Sequence, residues 1–467
     1  MATTPTTTGS PTPVATRTIN KGTLYFFGAL GGILFGYDLG VISGVLVMLV
    51  KNWDMTDNEK GLITATISIG AMLGAALAGR LNTRIGRRRT IMVAGVVVIV
   101  GTVLACVSGN WALLAVFRFV IGVGVGFSSA TVPTYLTELA PARIRGAMGS
   151  LNQIFICTGI LIAFLVDYFL ANAGDNAWRW MLAGALVPAV VLLIGLTRLP
   201  ETPRWLFQAG REDEGRAVLA ATHGPEDDIE QAAGAIHEVI RAEQIKDSGT
   251  LRELLTGRWV RPMLFVGILL AIGQQFCGVN TINAYFPTML TSLGFSTNAA
   301  LLSGVILGVT KLAFTAWVVF VVDRWGRKPL LLIGSAVMTL TLFVTGLVVL
   351  DVHGQTALGF STLVLLTVYL AGYELGWGAI VWLMMSEVFP LKLRGVGTGL
   401  CSVVLWASTG LITYIFPIMS DPKNLGLGHS MWIFAAVNLV LLVLVWKLVP
   451  ETKGRSLEQI ETDLRTA

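Results

Sequence analysis

Of the 467 residues, 54% are hydrophobic and only 13% are charged, against roughly 25% charged in soluble domains. So few charges cannot cover a water-soluble protein of this length. The net charge of +5 does not point to nucleic acid, because the basic residues fall in short clusters between apolar runs, as in membrane-protein loops. Cys106, Cys157, Cys277 and Cys401 all lie inside apolar runs and read as small buried hydrophobes, not as disulfides or metal ligands. The histidines form no ligand-spaced cluster, and there is no catalytic constellation or nucleotide-binding loop. Neither an enzyme nor a cofactor is expected.

Residues 1–21, rich in Thr, Pro and Ala, have little to bury and read as a disordered tail. The first apolar run is too long for a signal-peptide core. A bilayer crossing takes roughly 20 apolar residues, and about twelve such runs follow: 22–50, 61–82, 90–109, 111–136, 147–170, 180–199, 262–291, 299–322, 329–350, 361–386, 395–419 and 430–449. The polar stretch 200–260 divides them into two sets of six and reads as short amphipathic helices on the membrane face. The expected units are a six-helix bundle over 22–199, a linker over 200–260, a second bundle over 261–450 and a tail over 451–467. Among the short loops, those after spans 2, 4, 8 and 10 hold most of the Lys and Arg, including Arg84, Arg87, Arg88, Arg143, Arg145, Arg324, Arg327, Lys328, Lys392 and Arg394. That asymmetry places both termini and the linker in the cytoplasm.

The halves repeat. Arg84-Ile85-Gly86-Arg87 returns as Arg324-Trp325-Gly326-Arg327. The segment Glu138 to Gly146 returns as Glu387 to Gly395, and Pro200-Glu201-Thr202 as Pro450-Glu451-Thr452. A duplicated six-helix unit predicts two bundles around a midplane site. The order and spacing of these motifs, with Gly-Gly-Ile-Leu-Phe-Gly-Tyr-Asp (31–38), Pro-Glu-Thr-Pro-Arg-Trp-Leu (200–206), Gln-Gln-Phe-Cys-Gly-Val-Asn (274–280) and Pro-Glu-Thr-Lys-Gly (450–454), resemble the sugar porter branch of the major facilitator superfamily. The resemblance covers nearly the whole chain after the tail. It implies an all-α fold of about twelve membrane helices in the cell membrane, with a monosaccharide or polyol and protons as partners, a lipid bilayer around it, no nucleic acid, and a monomer as the working unit.

An ionisable residue inside a span is a functional-site hypothesis in its own right. Asp38 in span 1 and Arg118 in span 4 are such residues and natural partners. In symporters of similar sequence the matching pair couples protons to sugar. The amides Gln153, Gln274, Gln275 and Asn280 offer donors and acceptors to hydroxyls without adding charge; their bland role is to bond helix to helix. By resemblance the substrate site also takes Tyr285, Glu374, Trp382 and Trp406. Cytoplasmic gating falls to the pairs Glu138/Arg145 and Glu387/Arg394 with Arg84, Arg88, Asp323, Arg324 and Lys328.

Several positions depart from the family pattern. Thr83 replaces the acid of the first loop motif, Ile160 and Leu405 stand where some members carry amides, and Ala284 replaces a Tyr. Ala379 replaces a Pro, which predicts a less broken span 10. Lys311 takes the place of a sugar-binding Asn in span 8. A Lys in mid-membrane is expensive unless paired, so an ion pair with Glu374 is expected, against the alternative of a Lys that reaches cavity water. The reading is proton-coupled import by alternating access. Its rivals are an uncoupled facilitator, a carrier of an acidic sugar or other organic anion drawn by Lys311, and a transporter-like nutrient sensor.

Overall fold

The computed structural model describes residues 21–224, 226–245, 251–351, 355–390 and 393–453. The tail expected over 1–21 falls outside these residues except for Lys21, as do Lys392 and the stretch from 454 onward. A bilayer offers no partner to backbone N–H and C=O groups, so a spanning segment must satisfy them internally. The chain does so with helices throughout, and no strand occurs among the described residues.

The first half holds α1 (Lys21–Asn52), α2 (Asp57–Ile85), α3 (Arg87–Cys106), α4 (Trp111–Leu139), α5 (Arg145–Leu170) and a sixth span made of α6 (Ala177–Ala183) and α7 (Leu186–Arg198). Four short helices follow: α8 (Pro203–Gln208), α9 (Glu212–Thr222), α10 (Ile229–Ile245) and α11 (Leu251–Thr256). Phe207, Leu219 and Ala233 pack α8, α9 and α10 around a small core of their own, as amphipathic helices require. The second half holds α12 (Arg261–Phe276) with α13 (Val279–Ser292), α14 (Thr297–Trp325), α15 (Arg327–Asp351), α16 (Gln355–Tyr373) with α17 (Ile380–Glu387), α18 (Arg394–Ser420) and α19 (Gly426–Leu448). Among the described residues, 12 helical stretches are long and apolar enough to cross a membrane. The chain is an all-α membrane protein of two six-helix bundles.

Helices in lipid gain little from burying apolar surface against one another and pack tightly only through small residues. Gly32, Gly36, Gly40 and Gly44 recur every four residues on α1, one row of the helix. A Cβ on Gly36 would strike the Ile156 carbonyl of α5, and one on Gly40 would lie 2.8 Å from the Ala163 Cβ. The seam ends at Asp167, which the sequence reading did not single out. Its Oδ2 accepts from the Gly44 N–H at 3.0 Å. Gly70 and Gly74 on α2 and Gly122 and Gly126 on α4 form a second seam, each facing a carbonyl of the other helix.

The repeated Pro-Glu-Thr motif has a structural purpose. α3 and α15 begin after Gly86 (φ 94°) and Gly326 (φ 92°), which fit that backbone but offer no side-chain cap. Glu201 supplies the missing acceptor for the Arg87 and Arg88 N–H groups. Glu451 does the same for those of Arg327 and Lys328, each at 3.0 Å. Burial pushes the Glu451 carboxyl up, but the N–H groups of Lys453, Arg327 and Lys328 outweigh it and hold the group below its ordinary range. A carboxylate there also meets the positive end of α15.

Glu451→Gln is therefore expected to lower thermal stability at neutral pH, by roughly 1 kcal/mol. Because the folded carboxyl titrates below its usual value, the wild-type advantage is present at neutral pH and fades as pH falls through that depressed value. Melting curves from about pH 7 to about pH 3.5 should show the two proteins converging. A gap independent of pH would show that the charge is not what stabilises this helix end.

Candidate functional site

Two interruptions of the second half set up the site. Between α12 and α13 the chain turns at Gly278 with φ 101°, a conformation that strains any residue with a Cβ. The break leaves the Cys277 carbonyl without its helical donor, and Tyr369 Oη and Asn438 Nδ2 bond it at 2.9 and 3.1 Å. In the tenth span, Glu374–Gly378 forms a π-helical turn between α16 and α17. The loss of a Pro at Ala379 has not left this span regular. Gly376 and Gly378 permit the widening, since a Cβ on Gly376 would lie 2.7 Å from the Leu330 carbonyl. Turns of this kind occur often at functional sites.

A cavity lies between the halves, with Phe35, Gln153, Cys157 and Ile160 on one side and Gln274, Asn280, Asn283, Lys311, Glu374, Trp382 and Trp406 on the other. The amides form a relay. Asn280 Nδ2 donates to Gln275 Oε1 at 2.6 Å, Gln275 Nε2 to Gln274 Oε1 at 3.3 Å, and Gln274 Nε2 to the Trp377 and Gly378 carbonyls at 2.9 and 3.2 Å. The relay ties the α12–α13 break to the π-turn and spends the donors of Gln274 on carbonyls that the turn has freed. Trp406 packs at 5.3 Å on the Phe35 ring across the halves, and Gln153 makes only a long contact to Cys157 Sγ.

Lys311 Nζ lies 2.7 Å from Glu374 Oε1, with both side chains almost wholly buried. Thr315 donates to Glu374 Oε2 at 2.9 Å and meets Cys157 Sγ of the first half at 3.2 Å. The Lys311 ammonium also sits 5.3 Å from the Tyr373 ring. The pair carries no net charge, so the cavity does not present a bare cation.

Other expected positions land differently. Tyr285 does not line the cavity. It follows Asn283 by two residues, about 200° around the helix, and so faces away. Its hydroxyl donates to Thr64 Oγ1 at 2.8 Å and the Thr413 carbonyl at 3.0 Å. Asp38 and Arg118 are 2% and 0% exposed, yet no ion pair joins them among the described residues. Arg118 Nε donates to the Ile63 carbonyl at 2.9 Å, while Arg118 Nη1 and Asp38 Oδ2 have no partner. The expected pair is two separate buried groups in this conformation.

The two faces of the molecule differ. On the face opposite the basic loops, Tyr285 with Thr64, Lys51 with Thr297 at 2.7 Å and Tyr414 with Asn58 at 3.2 Å join the halves. At the basic face the described ion pairs stay within one half or reach the linker. Glu138 pairs with Arg87 at 3.0 Å and Arg204 at 3.9 Å, Glu387 with Arg327 at 3.8 Å, and Arg143 with Glu226 at 2.5 Å. Thus the second Arg of each repeated motif, Arg87 or Arg327, pairs with the acid of the later motif in its own half. Arg394 Nε and Nη2 have no partner, and the side chains of Arg145 and Asp323 lie outside the described ones. Arg84 and Arg324 are exposed, Arg88 bonds the Leu196 and Thr197 carbonyls, and Lys328 serves through its backbone N–H. The symmetry of the motifs in the sequence could have found Arg87 and Arg327.

The family described as sugar (and other) transporter matches residues 24–464. The chain belongs to it. YwtG of Bacillus subtilis strain 168 is 41% identical over 442 residues, covering 95% of this chain and 94% of its own. The glucose transporter GlcP of Staphylococcus epidermidis is 37% identical over 446 residues, covering 96% and 98%. Among solved structures, the partially occluded inward-open xylose transporter XylE of E. coli superposes with a TM-score of 0.81 at 30% identity, covering 93% of this chain and 99% of its own. The sugar porter family of the major facilitator superfamily accounts for the fold, and its members matched here are transporters, not enzymes.

Removing one partner of a buried ion pair strands the other, at roughly 3–5 kcal/mol. Lys311→Met and Glu374→Gln should each lower the melting temperature of purified protein and impair transport. The double variant should lose less than the two singles together. Strictly additive losses would mean that the contact contributes no coupling.

Proposed function

We propose that this sugar porter imports a monosaccharide or polyol together with protons, by alternating access. The observation that carries the substrate class is the cavity between the halves: carboxamides, indoles and a self-neutralised Lys311–Glu374 pair. Such groups match hydroxyls with paired donors and acceptors and offer indole faces to a sugar ring. The pairing of Lys311 also removes the ground for an acidic substrate, since the cation already has its anion at 2.7 Å. The similarity to GlcP and to the proton:xylose symporter XylE, whose structure holds a bromodeoxyglucose, supports both parts of the reading.

Asp38 supports coupling. A carboxylate buried in a span without a paired cation is costly, and a proton removes the charge. When the halves rearrange, Arg118 is the nearby cation that can stabilise the ionised form, so proton release and reorientation are linked. The closed face opposite the basic loops and the half-restricted ion pairs at the basic face fit a cavity facing the basic side. The positive-inside rule supports reading that side as the cytoplasm, with both termini on it and the cell membrane as the location. In the opposite state, Glu138 and Glu387 would exchange partners across the halves and hold that face shut.

Uptake into proteoliposomes tests the whole reading, with labelled pentoses, hexoses, inositols and sugar acids, and with or without a pH gradient. Accumulation of a neutral sugar or polyol driven by the gradient is the expected result. Transport unaffected by the gradient would make the protein a facilitator, and preference for sugar acids would overturn the substrate class. Asp38→Asn should abolish uphill uptake while sparing counterflow exchange. Undiminished accumulation by that variant would remove Asp38 from coupling.

A further inference from the structure

The cavity lining holds an amide that no described side chain or backbone group bonds. Asn283 is 2% exposed, lines the cavity from α13, and has no hydrogen-bond partner at either Oδ1 or Nδ2. Its neighbours are all engaged. Asn280, Gln275 and Gln274 each bond within the relay to the π-turn, and Lys311, Glu374, Thr315 and Cys157 bond one another. Apart from Glu374 Oε1, which faces Lys311, the lining residues leave one other buried polar atom without a partner, the indole Nε1 of Trp406.

Buried donors and acceptors are almost always bonded, because an unmet one carries its full desolvation cost. An apolar residue of similar size would fill the same space at no such cost. An amide kept there without a partner among the described residues makes sense if something that enters the cavity completes it. Its position is suitable. Val279, Asn280 and Asn283 share one face of α13, the first helical turn after the Gly278 break, so Asn283 looks into the space that the break and the π-turn open.

We propose that Asn283 is a specificity-determining residue of the substrate site. Its carboxamide accepts from and donates to one hydroxyl of the sugar or polyol, with the Trp406 N–H as a second donor to the same end of the ligand. The inference rests on the monosaccharide reading above and adds to it. One hydroxyl is read by a group the protein itself leaves unpaired, so an analogue lacking that hydroxyl binds with the amide still stranded. A site built to bond a hydroxyl discriminates strongly against the analogue that lacks it.

The test uses purified full-length wild type and Asn283→Leu, with two readouts. The first needs no ligand. If Asn283 is unpaired, Leu removes a buried unmet amide, and the variant melts at the same temperature or higher; a clear fall would mean that the amide has a structural partner, and the proposal fails. The second is equilibrium binding of the best sugar in the panel and its monodeoxy analogues. Wild type should bind one analogue about tenfold or more weakly than the parent. Asn283→Leu should bind the parent about tenfold more weakly, erase the discrimination at that one hydroxyl, and keep it at the others. Unchanged discrimination at every position overturns the proposal even if the sugar reading stands. If wild type binds no sugar or polyol, the sugar reading is what fails; a stabilised Asn283→Leu would then still mark the amide as kept for a ligand, and a destabilised one would overturn that as well.

Discussion

A backbone polar group cannot go unpaired inside a bilayer, and the site exists because this chain breaks that rule locally and repairs it. The turn at Gly278 and the π-turn at Glu374–Gly378 free carbonyls at membrane depth. Each is met by a side chain: Tyr369 and Asn438 at Cys277, Gln274 at Trp377 and Gly378. The repair determines where the cavity lies and which of its amides are already committed. Gln274 is a structural member of this region, since losing it would loosen both interruptions together.

The same economy governs charge. Lys311 and Glu374 are tolerable at depth because they meet at 2.7 Å with Thr315 on the other oxygen. Through Cys157 that cluster touches the first half, so a rearrangement of the halves is felt at the pair. Asp38 and Arg118 instead make no ion pair among the described residues, and Asp38 Oδ2 and Arg118 Nη1 stay without a hydrogen-bond partner. One pair is closed and one is open in this conformation.

Glycine makes these close approaches possible. The rows on α1 and on α2 with α4 bring backbones near contact within the first half, which makes that bundle stiff. Between the halves, the bonds opposite the basic loops are a few hydroxyl, amide and ammonium contacts. These polar contacts add to helix packing between the halves.

The sequence by itself determined the membrane class, the twelve spans, the two-fold repeat and the short list of charges and amides that needed explaining. Hydropathy and rarity reveal these without a third dimension: an apolar run of sufficient length has few alternatives to spanning, and Lys311 or Asp38 stands out within one. Even the Lys311–Glu374 pairing was legible, because two lone opposite charges at membrane depth have a strong reason to meet. Only the tertiary structure decided partners. Helical periodicity states which residues share a face, but not which neighbouring helix that face meets or in which conformational state. Hence Tyr285 proved to bond across the halves on the face opposite the basic loops, Arg87 and Arg327 proved to pair with Glu138 and Glu387, and Arg118 bonded the Ile63 carbonyl. Asn283 reads in sequence as one more polar residue in a span. What distinguishes it is the lack of a partner among the described residues, and that becomes visible only when every neighbouring helix is in place.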